Sequence, residues 1–104
     1  TNLGIILIND SYNASLDSVK PALEQLRITR GNKKIAVLGD MLELGEYAKK
    51  LHEAVGEEIV KNKIDILITV GELAKYISQT AIELHMDENK IFSYSTVQEA
   101  IREN

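Results

Sequence analysis

The sequence predicts an α/β fold, a three-layer, doubly wound and Rossmann-like sheet of mostly parallel strands, on two observations. Short, continuous apolar runs rich in Ile, Leu and Val recur along the 104 residues, and a stretch with apolar residues at helical spacing follows each of them. Four such strand-then-helix units with short connections imply parallel strands joined by right-handed crossovers. A chain of this length buries roughly two-thirds of its unfolded surface, enough for one core without covalent staples. One domain covering 1–104 is therefore expected.

The first strand is read in GIILIN, residues 4–9, a run that suits burial on both faces and is closed by Asp10. Leu16, Val19, Leu23 and Leu26 then recur at helical spacing. Ser15 is the favoured N-cap, which leaves Pro21 inside the helix with a slight kink; a cap at Ser18 would put Pro21 in the tolerated first turn. The turn Arg30-Gly-Asn-Lys-Lys34 leads to a second strand, IAVLG at 35–39, ended by Asp40. Tyr47, Leu51, Val55 and Ile59 mark one face of a helix from about Glu46 to Asn62. DILITVG, 65–71, is the third strand, and Leu73, Ile77, Ala81 and Leu84 line its helix. After the turn Asp87-Glu-Asn89, IFSY at 91–94 gives a short fourth strand. Thr96 caps a last helix carrying Val97, Ala100 and Ile101.

Composition removes several classes of function. With 12 Lys plus Arg against 16 Asp plus Glu the net charge is -4, the wrong sign for neutralising a phosphate backbone, and four Tyr with one Phe give little for base stacking, so nucleic acid is not expected as a partner. No Cys is present, which excludes disulfides, thiolate zinc sites and a cysteine nucleophile and is compatible with a reducing cytoplasm. The apolar runs are strand-sized, well short of the roughly 20 residues that span a bilayer, so membrane insertion is not expected either. The chain starts at Thr1 without Met and stops on a helix-like stretch at Asn104, which suggests a piece of something longer.

In open α/β sheets ligands meet the carboxyl ends of the strands. That rule selects Asn9 to Ser15, Gly39 to Gly45, and Gly71 to Glu72. Neither GxxxxGK[ST] nor GxGxxG is present, so the chain has no phosphate loop of its own. A nucleotide at the first turn would meet side chains: Asp10 toward sugar hydroxyls, Asn13 and Ser15 as hydrogen-bond partners, Tyr12 as a stacking face. The same residues serve equally to order the turn, relax its backbone and pack. Asp40, Glu43 and Glu46 follow the second strand closely; three carboxylates suit a hard cation, while Asp40 as a turn cap and Glu46 at a helix N-terminus need no ligand. His52-Glu53 is half of HExxH, but Gly56 stands where the second ligand belongs, so His52 and His85 read as surface or packing residues and no metal site is assigned.

Two segments together are specific. Ile8-Asn-Asp-Ser-Tyr-Asn-Ala-Ser15 with Asp17-Ser18, and Ile35-Ala-Val-Leu-Gly-Asp-Met-Leu-Glu-Leu-Gly45, resemble the carboxyl-terminal domain of Mur ligases, and the likeness continues through His52 to Gly56 and Val70 to Lys75. The family usually has Asn-Pro after Tyr-Asn-Ala, where this chain has Ser15 and Leu16. The resemblance implies a three-domain cytoplasmic enzyme of cell-wall synthesis, with one domain for the UDP-sugar peptide, a central ATPase and this one closing over the site. Within the family the chain looks most like the ligase that adds D-Ala-D-Ala to UDP-MurNAc-tripeptide through an acyl phosphate, using ATP and Mg2+. It further implies Asp10 beside the ATP ribose, Tyr12, Asn13 and Ser15 facing the nucleotide, and Asp40 and Glu43 toward the incoming amine or the domain interface. A closing strand with Lys-Gly-Ser is expected beyond Asn104, and the isolated chain is expected to be inactive and to bind no cofactor tightly.

Two other classes compete. A phospho-receiver module needs its acceptor Asp at the end of the third strand, and DILITVG ends without one. A regulatory or interaction domain without chemistry would use the acidic second helix as its docking face.

Overall fold

The computed structural model describes residues 3–8, 16–28, 33–41 and 45–103. Four strands, β1 (Leu3–Ile8), β2 (Lys33–Gly39), β3 (Ile66–Val70) and β4 (Ile91–Tyr94), form one sheet in the order β1-β2-β3-β4, every neighbouring pair parallel. The helices are α1 (Leu16–Ile28), α2 (Ala48–Lys61), α3 (Lys75–Glu83) and α4 (Val97–Glu103), with 3-10 turns at Gly45–Tyr47 and Glu88–Lys90. The parallel sheet of βα units is the arrangement that the apolar runs predict. The strands lie in chain order without reversal, and α2 packs between α1 and α3, so these three helices share one face of the sheet.

Side-chain alternation in the strands shows which face that is. Ala36 and Leu38 in β2 and Leu67 and Thr69 in β3 are buried, and they meet Val19 and Leu23 of α1, Val55 and Ile59 of α2, and Ile77 and Ala81 of α3 in one core. Ile35, Val37, Ile66, Ile68 and Val70 point the other way and are half-buried, and Phe92, in register with Ile68, is exposed. Thr69 is one of the buried polar residues. Its Oγ1 lies 2.8 Å from both Ser78 Oγ and Ser93 Oγ, so three hydroxyls satisfy one another across β3, α3 and β4.

Two helix faces differ from their predicted pattern. On α2 the buried residues are His52, Val55, Gly56 and Ile59, while Leu51 is half-buried and Tyr47 is exposed. The apolar stripe is rotated by about one residue because a histidine and a glycine, neither counted as apolar, occupy its inner edge. On α4, Ile101 is 69% exposed. The cap of α4 is as predicted: Thr96 Oγ1 accepts from Glu99 N at 3.1 Å, and Glu99 Oε1 accepts from Ser95 N at 3.0 Å, a reciprocal pair close to a capping box. α1 begins at Leu16, the start that a cap at Ser15 requires, and it carries Pro21 inside; Ser15 itself lies outside the described residues.

α2 and α3 end alike. After α2, Lys63 N donates to Val60 O and Ile64 N to Ile59 O; after α3, His85 N donates to Ile82 O and Met86 N to Ala81 O. Both are Schellman endings with the left-handed position held by a residue other than glycine, Lys63 at φ 56° and His85 at φ 75°. Left-handed backbone costs an L-residue roughly 1–2 kcal/mol, part of which a glycine returns through its more flexible unfolded state. Lys63→Gly and His85→Gly are each expected to stabilise the domain by about 0.5–1 kcal/mol. Urea denaturation checks this, and a loss of stability in both variants would contradict the assignment.

Candidate functional site

β2, β3 and β4 end side by side, and the residues just past them build the described part of the site. Asp40 follows β2, and its Oδ1 accepts a 2.7 Å hydrogen bond from Ala74 N at the start of α3. Gly71 follows β3 with φ 126°, and its N–H donates to Tyr94 O at 2.8 Å. A β-carbon on Gly71 would collide with the Asp40 carboxylate, so the bare backbone is what lets the Asp40 side chain reach across to α3. Asp40 thus bonds not within its own turn but across to the start of α3, linking the exit of β2 to the helix that follows β3.

Next to it, Met41 N donates to His52 Nε2 at 2.9 Å, and His52 Nδ1 lies 2.6 Å from Ala48 O. His52 and Met41 are both buried, so of the surface and packing alternatives His52 takes the inner one. His85 is exposed at a helix end, the surface alternative.

The rim carries charge and aromatic surface. Glu72 pairs with Lys75 at 3.2 Å; hydrogen bonds from Lys75 and then Ser95, with the Lys75 charge, hold its carboxyl below the usual glutamate value. Lys49 Nζ sits 5.6 Å from the centre of the Tyr76 ring. Sequence reasoning selected Gly71 with Glu72 as a strand-end segment but did not single out Ala74, Lys49 or Tyr76. None of these three carries a sequence signal of its own; Gly71 did, as a glycine placed just after a strand. Asp10, Tyr12, Asn13, Ser15 and Glu43 lie outside the described residues, and Glu46 is an exposed residue of the 3-10 turn.

Among the described residues no three His, Asp or Glu side chains form a metal-binding group. Of the lysines at this end, Lys75 pairs with Glu72 and Lys49 lies over Tyr76. A groove of about 560 Å3 lies elsewhere, between the C-terminal ends of α1 and α2, lined by residues including Arg27, Lys61 and Asn62. One of its lining residues, Arg27, lies beside the start of β2, where its carbonyl accepts from Lys34 Nζ at 2.7 Å. No described helix is long and apolar enough to cross a membrane.

A family model described as Mur ligase, glutamate ligase domain, matches residues 1–104. The chain belongs to the Mur ligase family. This Mur ligase domain is 37% identical over 108 residues to the UDP-N-acetylmuramoyl-tripeptide D-alanyl-D-alanine ligase of Bacillus subtilis (strain 168), an alignment covering 100% of the chain and 23% of the relative. It is 37% identical over 73 residues to the ligase of that name from Escherichia coli (strain K12), covering 70% of the chain and 16% of the relative. Among solved structures, the domain resembles a MurF crystal structure from Acinetobacter baumannii at a TM-score of 0.71 and 28% identity, covering 94% of this chain and 21% of that one. It also resembles the MurF ligase of Thermotoga maritima, solved in complex with ADP, at a TM-score of 0.56 and 25% identity, covering 95% and 26%. The chain therefore spans about a quarter or less of the length of these relatives.

Proposed function

We propose that these residues form the carboxyl-terminal domain of an ATP-dependent ligase that joins D-Ala-D-Ala to UDP-MurNAc-tripeptide, a cytoplasmic step of peptidoglycan synthesis. The observation that carries this reading is the 37% identity along the whole chain to the Bacillus subtilis ligase of that activity. The neighbour holding ADP supports nucleotide use by the complete enzyme. ATP would activate the peptide carboxylate as an acyl phosphate, which the dipeptide amine attacks. Mg2+ and the phosphates would be held by the enzyme's central ATPase domain, since the 104 residues carry no GxxxxGK[ST] phosphate loop.

In this reading Asp10 accepts from the ribose hydroxyls, and Tyr12, Asn13 and Ser15 form the nucleotide-facing turn. Glu43 and the turn braced by Asp40 face the incoming amine. The domain contributes orientation and coverage, and the chemistry needs groups from the other domains.

The test is phosphate release by the complete enzyme that depends on both D-Ala-D-Ala and the UDP-linked tripeptide; release without the dipeptide would remove the reading. In that enzyme Asp10→Ala is expected to raise the KM for ATP about tenfold or more, the usual scale for losing a hydrogen bond to a charged group. For the 104 residues alone, calorimetry is expected to show ATP binding no tighter than millimolar, and micromolar affinity would contradict the assignment of the phosphates to another domain.

A further inference from the structure

The described site contains one buried imidazole for which the functional reading has no use. His52 is fully buried on α2, and its ring is fixed by roles that are not interchangeable. Met41 N–H can only donate, so Nε2, at 2.9 Å, is the acceptor; Nδ1, at 2.6 Å from Ala48 O, therefore carries the proton. The ring is neutral and in one tautomer, and it clasps the exit of β2 to the first turn of α2. Filling the space alone would need no acceptor nitrogen; a leucine would do.

What the clasp holds is the residue beside Asp40. Met41 is anchored twice, by its buried side chain and by His52, and Asp40 then spans to Ala74 N–H at 2.7 Å. A continuous series runs from Ala48 O through His52, the Met41 backbone and the Asp40 carboxylate to the start of α3. We propose that His52 is a positioning residue: it sets the direction of the Asp40 turn and with it the docking of the amine substrate. The proposal rests on the functional reading above. His52 touches no reacting atom, so its loss acts on preorganisation.

Two readouts test it separately. In the 104-residue chain, nitrogen NMR should show His52 protonated at Nδ1 and bare at Nε2, and the opposite tautomer overturns the proposal whatever any variant does. His52→Gln, whose Oε1 can accept from Met41 N–H, should keep that amide protected from exchange, while His52→Leu should speed its exchange at least tenfold. In the complete ligase, His52→Leu should raise the KM for D-Ala-D-Ala about tenfold with kcat changed less than threefold, and His52→Gln should recover most of it. If wild-type ligase ignores the dipeptide, the functional reading fails while the NMR result still stands or falls by itself. If wild type is active and His52→Leu frees the Met41 amide without moving KM, the positioning role fails. Should His52→Leu not fold, His52→Gln decides: unchanged KM with a protected amide supports the role, and a raised KM with a protected amide overturns it.

Discussion

Gly56→Ala is expected to lower the stability of the domain by about 1–2 kcal/mol, although alanine is the better helix former by roughly 1 kcal/mol. The reason is the crossing of α2 and α3. Gly56 is buried, and a β-carbon there would stand 2.7 Å from Ile77 O and 2.8 Å from Thr80 Cβ. Ile77 O is helix backbone, which cannot turn aside as a side chain can, so α3 as a whole must move. Overpacking of this kind typically costs 1–3 kcal/mol and occasionally more, enough to exceed the gain in propensity. Gly56→Val adds two methyl groups against Thr80 and should cost more, about 3 kcal/mol or above. For a domain of this size each kcal/mol moves the melting midpoint by roughly 4–8 °C. Thermal and urea unfolding read the effect directly, and a stabilised Gly56→Ala would mean that the two helices do not approach this closely.

Gly71→Ala should be the more damaging change, about 3–5 kcal/mol, because two costs coincide. A φ of 126° lies where residues with a β-carbon are strained by about 1–3 kcal/mol. The added carbon also falls on the Asp40 carboxylate and displaces it from Ala74 N–H, a hydrogen bond to a charged group worth about 1.5–3 kcal/mol. A double-mutant cycle separates them. In an Asp40→Ala background, Gly71→Ala should retain only the backbone part, so its cost should fall by a third or more. Equal costs in both backgrounds would show that the carboxylate and the glycine are independent.

The elements were legible because their patterns are strong. Runs such as IAVLG and DILITVG are too apolar and β-branched for anything but buried strands, and the Thr96 and Glu99 spacing announces its own cap. The inner edge of α2 was not legible, since His52 and Gly56 carry no apolar signal. His52 is inside through two hydrogen bonds, and Gly56 is inside because α3 leaves no room for a side chain. Periodicity reports greasiness, and neither reason is greasy. For the site, Asp40 was picked out by its place after β2, but its partner Ala74 is 34 residues away and depends on how β2 and β3 align. Asp10 to Ser15, in the first of the two segments that together carry the family likeness, lie outside the described residues, and the roles of those residues come from the likeness.

The identity of spatial and chain order in the sheet bears on how the domain is made. Each new strand finds its partner in the strand synthesised just before it: Leu3 meets Lys33, Ile35 meets Ile66, and Leu67 meets Ile91. Among the described strands no pairing waits for a distant segment, so loop closure costs stay modest and alike from one step to the next. The sheet can grow from one edge as the chain leaves the ribosome, every strand laid on a template already in place. A strand inserted between earlier ones would have required the partly built sheet to hold a gap open; here each described strand after β1 is added at the outer edge of the one before it.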